Sequence, residues 1–409
     1  YFDKKITSAD CIFIYCISLM ALSDIEETIK YIKNKFNNKK IILIENTQAV
    51  TSFSLKHEKE RLFSIGANHI VLGELYNNWN EIIDYILNSK ESTIKPQNIL
   101  NNLDKQNADR IPQNTFHLSR PNWNKIKYYN YWKYPSSHGP KQEKYIPLLT
   151  SRGCPYGCDF CVSPEITARN WDALSPENVV EQIEYLKEKY EIDNFFVEDL
   201  NPTVQFERWD MICDLLLKQK LNISFFFVSG TKLETIKTNQ LSKFSNAGCK
   251  YISFSPESGS SELMKIIGKK FDYNHGLEMA KNCKKQGIRT QACFVIGHPN
   301  ERIKDFFLSL KYMIRLTING LDEIAVFIIS PFSGSKLSVQ IENKKKNAIY
   351  SFSPSFRKGY IKFIIYRFIM IICFLITKLI FYPKFYIDCL KVLFNKKKPY
   401  IKLHNLLNR

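Results

Sequence analysis

Apolar and polar positions alternate along this chain on two different lengths. Near the N-terminus "CIFIYCI" (11–17) is a continuous apolar run, "SDIEETIKYIKNKF" (23–36) has helical spacing behind Ser23 as its cap, and "KIILIE" (40–45) is apolar again. A further helical stretch, then "GANHIVLGE" (66–74) and a helix around 79–88, complete this first block. Apolar strands separated by helices predict right-handed crossovers and a parallel sheet buried on both faces. Residues 1–90 therefore read as a partial doubly wound, Rossmann-like domain. Residues 91–145 are rich in Asn, Gln, Pro and Ser without sustained periodicity, which predicts a linker with short ordered pieces.

From residue 146 the alternation continues on a longer period. The predicted strands are "IPLLTS" (146–151), "NFFVED" (194–199), "ISFFFVS" (223–229), "KYISFSP" (250–256), "RTQACFVIG" (289–297) and "EIAVFIIS" (323–330). Each gap holds a helix-length segment, such as 175–190, where Ser175 caps, Pro176 takes the first turn and Glu177 lies near the positive helix end. Six consecutive β/α units over 146–336 predict an α/β class, a partial (β/α)6 TIM-like barrel, with its chemistry at the carboxyl ends of the strands. Residues 337–409 follow as a basic, apolar helical tail.

Composition and charge alter this picture mainly at that tail. With 409 residues, 44% of them hydrophobic, the chain can bury more than one core. Of the net charge of +18, most sits in residues 341–409, where fifteen Lys and Arg face only Glu342 and Asp388. The remainder is near balance, so no nucleic-acid partner is favoured. Within "YIKFIIYRFIMIICFLITKLIFYP" (360–383) the apolar core between Arg367 and Lys378 is ten residues, short of the roughly twenty that span a bilayer. With the basic clusters Lys344–Lys346 and Lys396–Lys398 nearby, it predicts an interfacial helix on an anionic membrane surface. The alternatives are a helix packed on the barrel and a spanning helix whose charges snorkel.

Eleven cysteines are few for a disulfide scaffold of this size, and Cys11, Cys16, Cys293 and Cys373 lie in apolar runs as small hydrophobes. A reducing, cytoplasmic compartment follows, peripheral at the inner membrane face if the tail binds there. The run 11–22 could also serve as a signal-peptide core, but no small-residue cleavage site follows it. The chain opens at Tyr1, as a trimmed or partial chain would.

The remaining three close cysteines carry the chemistry. "SRGCPYGCDFC" (151–161) places Cys154, Cys158 and Cys161 directly after the first barrel strand, with Gly153, Pro155 and Gly157 among them. Glycines let such a loop fold around a compact object with the sulfurs turned inward. A structural zinc takes four protein ligands, and no Cys or His pair at a usual spacing supplies the fourth. A 4Fe-4S cube held by three thiolates leaves one iron open for a substrate. A zinc knuckle and unliganded thiols are the bland alternatives.

At these residues the sequence resembles the radical S-adenosylmethionine (radical SAM) superfamily. "CPYGCDFC" is similar to its cluster loop, C-x3-C-x-aromatic-C, with Phe160 in the aromatic place. "FFVEDLNP" (195–202) resembles the segment that meets the methionine amino group, with Glu198 and Asp199 where other members often carry Gly-Gly-Glu or Asp-Asp. "ISFSPESGS" (252–260), with Glu257 and Ser258, resembles the ribose-binding strand end, and "FVIGHPNE" (294–301), with Gly297 and Pro299, the adenine-side Gly-x-Pro motif. Taken singly, Glu198 and Asp199 would also suit a helix cap, and Gly297 and Pro299 a strand-ending turn.

The resemblance implies a 4Fe-4S cluster and S-adenosylmethionine as cofactors, an electron donor such as flavodoxin or ferredoxin, and reductive cleavage to a 5′-deoxyadenosyl radical that abstracts a substrate hydrogen. No side chain is assigned a catalytic role beyond holding these cofactors. The first block resembles the end of the cobalamin-binding domain of one subgroup, which implies methyl transfer, cyclisation or similar chemistry on a small or lipid-like metabolite. Two departures count against the corrin: no Asp-x-His-x-x-Gly occurs, and Glu45-Asn46-Thr47 stands where members have a Gly-Gly turn. Cobalamin is thus a doubtful further cofactor. The alternative functions are a methylthiotransferase acting on tRNA or protein, and a non-catalytic membrane-associated binding protein with a degenerate site. A methylthiotransferase would carry a second-cluster domain and a small C-terminal β-barrel; Cys11 and Cys16 instead sit inside a strand, and the tail is apolar.

Overall fold

The computed structural model describes residues 2–73, 78–87, 95–101, 121–133, 139–340, 354–355, 357–394 and 400–404. These fall into two compact units, one of residues 1–115, 153–172 and 330–357, the other of residues 116–152, 173–329 and 358–409. Compared with a division at residues 90, 145 and 336, two stretches, 153–172 and 330–357, group with the first unit. The basic clusters Lys344–Lys346 and Lys396–Lys398 lie outside the described residues.

In the first unit α1 (Phe2–Ser8) precedes β1 (Cys11–Cys16), α2 (Leu22–Lys35), β2 (Lys40–Glu45), α3 (Leu55–Ser64), β3 (His69–Val71), α4 (Trp79–Leu87) and β4 (Ile99–Asn101). The sheet order is β1-β2-β3-β4, parallel up to β3 and antiparallel at β4. Because the parallel order never reverses, right-handed crossovers put α2 and α3 on one face, where Ile25, Ile29, Leu55 and Leu62 pack on Ile41, Leu43 and Ile70. The other face receives α4, through Ile82 and Ile86 on Ile42, Val71 and Ile99. Ser23 does not cap α2 as its position suggested. The helix begins at Leu22 with Ala21 as N-cap, and it is Ser18 whose hydroxyl accepts from the Met20 N–H, capping a short 3-10 turn one step earlier.

The first strand of the second unit is β5 (Tyr145–Leu148); the short strands β6 (Ser151–Gly153) and β7 (Trp171–Ala173) stand in the chain at either end of 153–172, the first-unit stretch that carries the cysteine loop and its single-turn helix α5 (Ser163–Ile166). There follow α6 (Pro176–Tyr190), β8 (Asn194–Val197), α7 (Phe206–Gln219), β9 (Ser224–Thr231), α8 (Leu241–Asn246), β10 (Cys249–Glu257), α9 (Ser261–Ile267), α10 (Tyr273–Lys285), β11 (Arg289–Ile296), α11 (Ile303–Ile318) and β12 (Glu323–Ile328). All six strands of its sheet are parallel, in the order β12-β11-β10-β9-β8-β5. Ser175 caps α6 as expected, its hydroxyl accepting from Asn178 N.

The large core lies between sheet and helices, where Phe195, Val197, Phe225, Phe227, Ile252, Phe254, Ala292 and Phe294 meet Val179, Trp209, Phe244 and Met313. The opposite sheet face is different. It holds a small apolar cluster of Phe196, Phe226, Val228 and Tyr251, and beside it the polar alternates Ser253, Gln291 and Glu323. The chain's closing residues join this face: Lys402 Nζ donates to Gln291 Oε1 at 3.0 Å and Leu403 N–H to Glu323 Oε2 at 3.0 Å.

After α12 (Lys336–Gln340) the tail forms α13 (Tyr360–Phe381) and α14 (Lys384–Leu393). α13 packs on α11, β11 and β12 through Met370 and Phe374. Lys378 does not break the outer face of α13, as the ten-residue reading assumed. Its side chain is only 1% exposed, lies over the rings of Phe374, Tyr382 and Phe385, and burial pulls its pKa down to about 8. The outward stripe Ile361, Ile365, Phe368, Ile372, Ile376, Leu379 and Ile380 is therefore apolar and exposed. Among the described residues α13 alone is long and apolar enough to cross a membrane.

Candidate active site

The cysteine loop is held by tight backbone packing. Gly153 has φ +77°, and a Cβ there would stand 2.1 Å from the Asn170 carbonyl, so only glycine fits the turn into Cys154. A β-carbon on Gly157 would press on the Arg169 guanidinium at 3.0 Å. Cys161 N–H donates to the Cys158 carbonyl at 3.2 Å, and the Ser163 N–H points at Cys161 Sγ at 3.4 Å. From 330–340 comes a brace: Leu337 N–H donates to the Asp159 carbonyl at 2.9 Å, and Gly334, φ +94°, lies against Ser54, Val162 and Glu165.

Cys154, Cys158 and Cys161 are half-buried and outside any disulfide, as is Phe160 among them. Among the described residues no three Cys, His, Asp or Glu side chains converge closely enough for a single metal ion. A cube distributes its thiolates over separate irons. This donor set, half-open and with an N–H directed at one sulfur, fits a cluster better than a lone zinc.

The other predicted residues lie at the carboxyl ends of β8, β10 and β11 of the second sheet, and they divide by what they touch. Beyond β8, Glu198 and Asp199 turn to opposite faces. Glu198 continues the ladder through its N–H to Leu148 O at 3.0 Å and, two residues after Phe196, lies on the polar face, where its charge is felt by Lys402. Asp199 is fully buried on the other side. Its Oδ1 accepts from Thr150 N at 2.7 Å, and its Oδ2 from Thr150 Oγ1 at 2.5 Å and Ser151 Oγ at 2.6 Å. Burial raises its pKa, while Ser151 and Thr150 pull the other way. The nearby Arg208 guanidinium clamps Thr150 O at 2.6 Å and Leu174 O at 2.6 Å. This capture of Thr150 ends β5 at Leu148, three residues before the end predicted from "IPLLTS".

At the end of β10 the register shifts between Phe254 and Glu257, and Glu257 takes a left-handed φ of +57°, uncommon for a residue with a side chain. Such a conformation costs on the order of 1–3 kcal/mol and persists where surroundings impose it. Here Lys269 imposes it, its largely covered ammonium 2.7 Å from the buried Glu257 Oε1 and 2.6 Å from Ser255 O. Burial raises the Glu257 pKa, and Lys269 opposes the rise. Ser258 is occupied in the turn itself, its hydroxyl 3.0 Å from Ser309 Oγ and accepting from Ser260 N.

After β11, Gly297 has φ +87°, and the ring of Phe363 from α13 lies 3.2 Å from where a Cβ would be. Pro299 is exposed. The residue that organises this turn is Glu301, which the motif reading passed over although it closes the quoted segment "FVIGHPNE". Its Oε2 accepts from Gly297 N at 2.5 Å, Oε1 is buried without a partner among the described residues, and burial raises its pKa to about 7. Gln291, Lys269 and Lys402 also went unmarked, and Cys293, read as a small hydrophobe, lies instead beside Ser253 Oγ and Gln291 Oε1 on the polar face. For Gln291 and Cys293 the signal was available in the apolar–polar alternation of "RTQACFVI"; for the lysines nothing local gave it.

In chain order the three-thiol loop follows β5, and buried carboxylates stand at or just beyond the ends of β8, β10 and β11. Residues 148–312 match the radical SAM superfamily model. The chain carries a radical SAM domain there, and that family implies a 4Fe-4S cluster and S-adenosylmethionine as cofactors. An uncharacterised methyltransferase of Pyrococcus horikoshii is 29% identical over 192 residues, 46% of this chain and 40% of that protein. The anaerobic magnesium-protoporphyrin IX monomethyl ester cyclase of Rubrivivax gelatinosus is 25% identical over 183 residues, 44% of this chain and 32% of that one. The chain thus spans less than half the length of these curated relatives. In fold it is similar to the radical SAM methyltransferase TsrM of Kitasatospora setae, solved with cobalamin and a 4Fe-4S cluster, at a TM-score of 0.66 and 12% identity over 83% of this chain and 68% of that one.

Proposed function

We propose that this protein is a radical SAM enzyme in which Cys154, Cys158 and Cys161 hold a 4Fe-4S cluster and Glu198, Glu257 and Ser258, with the Gly297–Pro299 turn, receive S-adenosylmethionine. The observation that carries this is the order of elements: the three-thiol loop follows β5, and the strands after it end in Glu198, Glu257 and Gly297. When bound, the cluster supplies the electron that cleaves S-adenosylmethionine to a 5′-deoxyadenosyl radical. The chain's part is to orient that cofactor and keep water out. Glu198 presents a carboxylate from the polar sheet face, and Glu257 is fixed by Lys269. Asp199 and Phe160 serve by position, Asp199 by fixing Thr150 and Ser151 shortly before the loop. The substrate is a small or lipid-like metabolite, the outcome methyl transfer, cyclisation or similar, and the electron donor a flavodoxin or ferredoxin; relatives named as methyltransferases and as a cyclase support that range.

The test is anaerobic reconstitution with iron and sulfide, then addition of S-adenosylmethionine and strong reductant. The expected product is 5′-deoxyadenosine, and Cys158→Ala should reduce bound iron and product to background. A fully loaded cluster that releases none would defeat the proposal.

The enzyme works in the cytoplasm at the surface of an anionic membrane. The exposed stripe of α13 and the exposed Ile387, Leu390 and Phe394 of the α14 segment, with Lys358, Lys362, Lys384 and Lys391 around them, support this. The triple substitution I365E/I372E/I376E lies wholly on that exposed face, so it should abolish co-sedimentation with phosphatidylserine vesicles without lowering the melting temperature. Unchanged sedimentation of the variant would remove the membrane from the proposal.

A further inference from the structure

In open α/β sheets a cofactor enters the crevice outside the carboxyl ends of the strands. In the first unit every such crevice between the described strands is bridged from within by one buried side chain. Between β1 and β2 it is Asn46, 5% exposed, which donates to Ile17 O at 2.7 Å and accepts from the Tyr15 hydroxyl at 2.9 Å. Between β2 and β3 it is Glu45, 2% exposed. Its Oε1 accepts from Leu55 N, the first residue of α3, and its Oε2 from Gly73 N just past β3, both at 3.0 Å. Between β3 and β4 it is Asn98, fully buried, which donates to Leu72 O at 3.3 Å and accepts from Asn78 Nδ2 at 2.7 Å.

The two N–H groups that Glu45 engages are those a helix start and a glycine turn would otherwise offer to an anionic cofactor group. Admitting a corrin or its phosphate-bearing tail there would strip three buried polar side chains of their partners at once, each at the full cost of an unpaired buried group. The parallel order β1-β2-β3 also contains no reversal, so the described strands form no switch-point crevice. The residues present do not fit cobalamin.

We infer that the first unit of this chain does not bind cobalamin and that Glu45, Asn46 and Asn98 serve as built-in braces in the place a cofactor would occupy. Any methyl transfer or cyclisation by this chain then proceeds without a corrin held in its first unit. The inference does not rest on the cluster or on S-adenosylmethionine, and it is tested without either.

The full chain, with no cluster loaded, is mixed with hydroxocobalamin, passed through a desalting column and read by its visible spectrum. The corrin should leave with the small molecules, its spectrum unchanged by the protein. Co-elution near one equivalent would overturn the inference. Glu45→Gln and Glu45→Ala should lower the melting temperature of the first unit in that order, the amide keeping one acceptor for the two N–H groups. A melting temperature unchanged in both would show that Glu45 is no brace and would equally overturn the proposal.

Discussion

At the carboxyl end of β2, Glu45 gives both carboxylate oxygens to backbone N–H groups. At the carboxyl end of β11, Glu301 gives one oxygen to Gly297 N and keeps the other buried without a partner among the described residues. The two sheets differ in the same way elsewhere at their strand ends. The first is closed by one bridging carboxylate, Glu45, and two bridging amides, Asn46 and Asn98. The second holds a left-handed Glu257, a Glu198 turned to the polar face and a carboxyl titrating near neutrality. Two sheets of one architecture can therefore be a finished scaffold and a prepared site, and the difference lies in a few polar residues just beyond the strands.

The largest test of this contrast removes a finished element from the prepared sheet. Asp199→Ala would take from Thr150 N–H and from the Thr150 and Ser151 hydroxyls the carboxylate they donate to, and leave Arg208 without its neighbouring charge. It should destabilise the second unit by about 3 kcal/mol, read by denaturant unfolding. A loss below about 1 kcal/mol would mean that Asp199 is not the anchor described.

The next effect is pH-dependent. Burial raises the Glu301 pKa above its ordinary 4.5 to about 7, so the folded state holds this proton more tightly than the unfolded chain does. Its contribution to stability is fully present below about 4.5 and is lost as pH climbs through about 7. Glu301→Gln should flatten that decline across the window, and identical pH profiles for variant and parent would remove Glu301 as a titrating strand-end group.

The smallest effect belongs to the finished sheet. Asn98→Ala should cost about 1–2 kcal/mol, independent of pH between about 5 and 8, because it removes neutral bonds to Leu72 and Asn78 only. A pH-dependent loss would blur the distinction between the two sheets.

The order of elements and the cysteine loop were legible in the residues alone. Long apolar runs between capped, periodic helices have few alternative partners, so all six predicted barrel strands appear, most within one or two residues of their expected ends. The loop was legible because three thiols with interleaved glycines encode their own turn. Only tertiary structure decided what each polar residue does. Glu198 and Asp199 are neighbours whose opposite fates follow from which strand face meets the core, and Thr150, forty-nine positions away, is what captures Asp199. Lys378 reads as a break in an apolar helix until the packing of α13 turns it inward. Glu45 reads only as the polar end of an apolar run and Asn98 as part of a linker until Leu55, Gly73 and Leu72 are brought to them. Periodicity is a local property carried along one segment, whereas the partner of a buried polar group comes from distant segments and exists only once the chain has closed around it.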